Sequence, residues 1–163
     1  MTASPWPRVR LHLAGRKPSG DSSSAPKGAG AARLDEGMGV SVLIVDDVED
    51  TRELYERYFQ FRGARVTTAA DGEAALLVVG SQRPDVIVLD LAMPRMTGWE
   101  VIQRLKGDAQ TRVIPIVVLS GQDARESALE AGADSYLEKP CLPDELLAEV
   151  LRVLGDATRR SDH

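Results

Sequence analysis

At 163 residues and 43% hydrophobic, with only 4% aromatic, the chain can bury one aliphatic core, so a single domain of α/β type is expected, either standing alone or as a fragment of a longer protein. Its single cysteine, Cys141, rules out an intramolecular disulfide, and with no bilayer-length apolar run and no signal-peptide pattern a cytoplasmic protein without membrane insertion is expected. The net charge of -5 divides unevenly: residues 1–39 carry six Lys or Arg against three acids, and residues 40–163 carry fourteen against twenty-two. The acidic second part is a poor candidate for direct nucleic-acid binding and a better surface for cations or basic proteins.

Residues 1–39 are rich in Ala, Gly, Ser, Pro and Arg without a sustained apolar period, and they read as a disordered tail. Met38 is an alternative initiator, so this stretch is a dispensable tail or upstream sequence from a mis-called start, with a functional docking tail as the lesser alternative. Val40 to Val45 then reads as a strand. Asp50 with Glu53 supplies a helix start, Leu54, Tyr58 and Phe61 recur at i, i+4, i+7, and Gly63 stops the helix. Arg65 to Ala69 is a second strand, Asp71 and Gly72 open a helix through Val79, and Val86 to Asp90 is a third strand. Thr97 with Glu100 forms a capping box for a helix carrying Val101, Ile102 and Leu105. Ile114 to Ser120 is the fourth strand, Asp123 to Ala131 a short helix and Asp134 to Glu138 the fifth strand. Pro143, Asp144 and Glu145 open a last helix striped by Leu146, Leu147, Val150, Leu151 and Leu154. Strands alternating with helices imply a parallel sheet covered on both faces, with ligands at the carboxyl ends of its strands.

Those ends carry the chemistry. The first strand runs into Asp46 and Asp47, the third into Asp90 within DLAMPRMTG, the fourth into Ser120, and the fifth is followed by Lys139 and Pro140. Singly, each has an ordinary explanation. Asp46, Asp47 and Asp50 read as helix N-terminal acids, Asp90 as a loop cap, Ser120 as a turn residue and Lys139 as solvated surface. Together, and in this order, they closely resemble the receiver domain of two-component response regulators over roughly residues 40–156, leaving residues 157–163 as a short disordered C-terminus.

The resemblance implies a flavodoxin-like (CheY-like) doubly wound sheet of five parallel strands in the order 2-1-3-4-5 with five helices. It implies Asp90 as the phosphoacceptor, and Mg²⁺ held by Asp46, Asp47, Asp90 and the backbone carbonyl of Ala92. Lys139 and Ser120 would contact phosphoryl oxygens, and the Lys139 to Pro140 bond is commonly cis in the family. Tyr136 occupies the aromatic switch position, which pairs with Ser120 in reporting the phosphoryl group to a binding surface; the alternative is a half-exposed strand tyrosine. The partners implied are a histidine kinase or histidine phosphotransfer protein and a downstream protein target. A phosphorylation-independent binding module is the alternative reading. A phosphohydrolase of the haloacid dehalogenase type also uses an Asp nucleophile, but it needs a second Asp where Ala92 stands. Cys141 reads as a small partly buried residue and Trp99 as helix packing.

Overall fold

The computed structural model describes residues 39–162, so the expected disordered tail and the alternative start at Met38 lie outside the described residues save for Gly39. Five strands alternate with five helices: β1 (Ser41–Val45), α1 (Glu49–Phe61), β2 (Arg65–Ala69), α2 (Gly72–Gln82), β3 (Val86–Leu89), α3 (Gly98–Gly107), β4 (Ile116–Ser120), α4 (Arg125–Ala131), β5 (Ser135–Glu138) and α5 (Pro143–Ser161). All neighbouring strands pair in parallel, in the order β2-β1-β3-β4-β5 that the resemblance implied.

The central strands are unbroken runs of buried residues because helices cover both faces of the sheet. Within each strand, alternate side chains go to opposite faces. Leu43, Val45, Ile87, Leu89, Ile116 and Val118 pack under α2, α3 and α4. Val42, Ile44, Val86, Val88, Val117 and Leu119 pack under α1 and α5. Each such aliphatic side chain contributes about 1.5–3 kcal/mol on burial. The ladder register sets the site: Val45 lies opposite both Ala69 and Leu89, and Ser120 opposite Glu138. Asp46, Asp90 and Lys139, each one residue beyond a strand end, therefore emerge at one edge.

Three local expectations are corrected. α1 begins at Glu49, and its N-terminus has no side-chain cap. Asp46 Oδ1 instead accepts the Val48 N–H at 2.9 Å, so the turn is made by the acid of the preceding strand end and not by Asp50. Its buried face is Tyr55 and Phe59, whereas Leu54 is 54% and Phe61 85% exposed. Both pairs have helical spacing, and only the angle at which the helix meets the sheet selects one of them. Finally, α5 continues to Ser161, so the residues read as a disordered C-terminus are helical through that point. Thr158 Oγ1 donates to the Leu154 carbonyl, Arg152 pairs with Asp156 at i,i+4, and Arg159 and Arg160 lie in the last turn, where cations favour the helix dipole. The capping box of Thr97 and Glu100 is formed as expected. Among the described residues no helix is long and apolar enough to cross a membrane.

Candidate functional site

At the carboxyl edge of the sheet, Lys139 donates to Asp46 Oδ2 at 2.6 Å and to Asp90 Oδ2 at 3.3 Å. Asp46 is 3% exposed and Asp90 6%. The exposed Asp47 completes the group, with one carboxylate oxygen from each of the three acids lying within 4.8 Å of the others. Two of the three carboxylates, Asp46 and Asp90, thus share a single ammonium, and Asp47 lies beside them. Asp90 Oδ1 also accepts the Ala92 N–H at 3.2 Å, which turns the chain out of β3. Ala92 itself is exposed.

The electrostatics follow from this surplus of acids. Burial holds the Asp90 carboxyl above its usual value, against the opposing pull of Lys139 and the Ala92 N–H, and Asp46 raises it further. For Lys139 burial acts downward, but the hydrogen bonds and charges of Asp46 and Asp90 outweigh it and leave the ammonium more firmly protonated than usual. Three carboxylates against one ammonium leave two negative charges uncompensated within the group. Its donors are hard carboxylate oxygens, a set that suits Mg²⁺ and not a soft metal.

Ser120 is fully buried at the end of β4, its hydroxyl accepting the Gln122 N–H at 3.3 Å, while its carbonyl accepts the Lys139 N–H at 2.9 Å. Its strand, β4, pairs with β3, which runs into Asp90. The Lys139–Pro140 bond is cis, as the resemblance implied. Tyr136 is 1% exposed, so the half-exposed alternative does not hold. Its hydroxyl accepts the Ala124 N–H at 3.4 Å, and the Arg125 guanidinium lies 5.5 Å from the ring centre. The ring is therefore held at the start of α4. Cys141 is half-buried, and burial with the nearby Glu145 pushes its thiol up to about 11, far from a reactive thiolate. Trp99 is half-buried against the core.

Sequence reasoning passed over three residues that build this edge. Arg52, on the first turns of α1, donates from Nη1 to the Asp46 carbonyl at 2.8 Å. Tyr55, one turn further, donates its hydroxyl to the Cys141 carbonyl at 2.7 Å. Gly98 opens α3 against the site loop, where a Cβ would stand 2.3 Å from the Asp90 carbonyl oxygen, so no larger residue fits without moving β3's end. Only Gly98 left a trace in sequence, as the glycine that closes the DLAMPRMTG loop.

The response regulator receiver domain model matches residues 42–151. Response regulator MprA of Mycobacterium tuberculosis is 43% identical over 128 residues, 77% of this chain and 54% of the relative. The chain thus spans about half the length of the curated relatives it matches. Among solved structures, the chemotaxis protein CheY4 of Vibrio cholerae matches with a TM-score of 0.67 and 36% identity, over 71% of this chain and 98% of that one. A signal receiver domain of a signal transduction histidine kinase from Syntrophus aciditrophicus matches with a TM-score of 0.67 and 30% identity, over 72% of this chain and 92% of that one. The chain belongs to the response regulator receiver domain family.

Proposed function

We propose, with that membership as premise, that this receiver domain is a phosphoacceptor in two-component signalling and that Asp90 is the residue modified. The observation that carries the reading is the shared Lys139 ammonium between two nearly buried carboxylates, Asp46 and Asp90, with Asp47 alongside. In the transfer, an Asp90 oxygen forms a bond to phosphorus as the donor's P–N bond breaks, and the electron pair leaves with the imidazole of a phosphohistidine. With acetyl phosphate the broken bond is P–O and acetate leaves. Lys139 would follow the incoming negative charge, and the Ser120 hydroxyl would hydrogen-bond a second phosphoryl oxygen.

Asp46, Asp47 and Asp90, with the Ala92 carbonyl, would hold Mg²⁺. When bound, the ion would neutralise charge on the phosphoryl oxygens. Phosphorylation of Asp90, which sets a phosphoryl group of greater negative charge where one carboxylate charge stood, would draw Lys139 and the Ser120 hydroxyl toward its oxygens and bias Tyr136 and the start of α4, which is how a local charge change would alter a partner-binding surface. The phosphodonor would be a histidine kinase or histidine phosphotransfer protein, and the receiver of the signal a downstream protein. Beyond self-phosphorylation from small donors and self-dephosphorylation, no turnover is expected of this module.

The test is intact-mass spectrometry of wild type and Asp90→Asn after incubation with acetyl phosphate, with and without Mg²⁺. One phosphoryl increment in wild type only, dependent on Mg²⁺ and lost in alkali, is the expected result. No increment, together with failure to bind beryllofluoride, would favour the phosphorylation-independent binding module.

A further inference from the structure

Lys139 sits in the short connection between β5 and α5, and its backbone has one strand contact, the N–H donated to Ser120. A long side chain on a loop does not hold its charge over two carboxylates unless that loop is itself held. Two residues after Lys139, the Cys141 carbonyl accepts the Tyr55 hydroxyl at 2.7 Å across 86 positions of sequence. Tyr55 is 4% exposed and packed with Phe59, Leu146 and Leu147 between α1 and α5, so its ring is anchored in the core while its hydroxyl reaches the edge. One helical turn earlier, Arg52 holds the Asp46 carbonyl. The same face of α1 therefore grips the backbone on both sides of the Lys139–Asp46 pair, one grip per partner.

We propose that Tyr55 is a positioning residue for Lys139: its hydroxyl ties the β5–α5 loop to α1 and so sets the ammonium over Asp46 and Asp90. The ring by itself would fill the same space as phenylalanine, and the hydroxyl is what distinguishes a tether from a core filler. Burial, together with the charges of Cys141 and Asp46, holds the phenol above its usual value, against the pull of Lys139, so it remains a donor throughout the neutral range. This inference rests on the phosphoacceptor reading for its kinetic consequence, but not for the tether.

Tyr55→Phe removes the hydroxyl alone and leaves the packing in place. In the Mg²⁺-dependent reaction with acetyl phosphate, the rate of Asp90 phosphorylation is expected to fall about fivefold in Tyr55→Phe, the scale of one lost buried hydrogen bond. In a Lys139→Ala background the same substitution should change nothing further, because its effect passes through Lys139. Equal effects in both backgrounds, or none in either, would overturn the proposal. Hydrogen exchange gives a readout that needs no phosphorylation: the peptide spanning residues 139–142 should exchange about fivefold faster in Tyr55→Phe, with the rest of the sheet unchanged. Unchanged exchange there, or a rise spread over the whole domain, would also overturn it. Should wild type itself take no phosphoryl group, the phosphoacceptor reading fails while the exchange measurement still decides the tether.

Discussion

The two ends of the sheet use the same residue types to opposite purposes. At the amino edge, Asp134 Oδ2 accepts the Ile116 N–H at 2.9 Å and the Lys106 ammonium at 3.1 Å. Lys106 spends its other two protons on the carbonyls of Arg112 and Ile114. Asp85 accepts the Ser41 N–H at 2.8 Å. Asp85 and Asp134 each answer a backbone group or a cation that the fold has already placed. At the carboxyl edge, Asp46, Asp47 and Asp90 lie close together while one lysine pairs with Asp46 and Asp90, and the charges do not balance. A satisfied carboxylate closes a structure, and an unbalanced group of them marks a candidate functional site. Size is no guide to which end is which: an open cavity of about 450 Å³ lies at the amino edge beside Asp134, but its Arg152 and Arg160 are paired with Asp156 and Asp134.

The contrast breaks most visibly under paired neutralisation. Asp90→Asn is expected to lower phosphoryl incorporation by about a thousandfold or more, since the nucleophile is gone, whereas Asp134→Asn should leave it within about twofold, each read by intact mass. Their stabilities should move in opposite directions in urea unfolding. Asp134→Asn loses charge-assisted bonds to Lys106 and Ile116 and is expected to cost about 2 kcal/mol. Asp90→Asn should be more stable than wild type at pH 7. The folded Asp90 carboxyl lies above its ordinary value of 3.8, mainly because it is buried, so the folded state binds that proton more readily than the unfolded chain. Its contribution to stability therefore falls as pH rises through the folded value, and the advantage of Asp90→Asn should shrink as the pH is lowered toward 3.8.

A smaller effect sharpens the same contrast. Mg²⁺ at ten times its Kd should stabilise wild type by about 1.4 kcal/mol through preferential binding to the folded state. Thermal unfolding with and without the ion should show that shift in Asp134→Asn and Asp85→Ala, and lose it in Asp46→Asn and Asp90→Asn. A shift retained by Asp46→Asn would place the ion elsewhere. Least of all, Asp85→Ala should cost about 1 kcal/mol in urea unfolding, one backbone hydrogen bond, with phosphorylation unchanged.

Much of the carboxyl edge was legible because position along a parallel strand is read directly from an apolar run and its end. Val86 to Leu89 is such a run, and the polar residue after it has to emerge at the ligand-binding side. The same logic reached Asp46, Asp47, Ser120 and Lys139. The amino-edge acids were not legible in this way. Asp85 and Asp134 precede strands and look like ordinary loop acids until the neighbouring strand or helix that supplies Ser41, Ile116 and Lys106 is in place. Tyr55 was hidden for a different reason: Tyr55 with Phe59 and Leu54 with Tyr58 have the same spacing, so periodicity offers two faces and no choice between them.

By itself the sequence determined the five strand and helix pairs, their parallel arrangement and the identity of the residues at the strand ends, because apolar period, capping residues and strand length are local properties. Tertiary structure alone decided which face of α1 is buried, how far α5 runs, that Tyr136 lies inside, and that a tyrosine on the first helix holds the loop carrying Lys139. Each of these depends on the angle or distance between elements far apart in the chain, which no local pattern encodes.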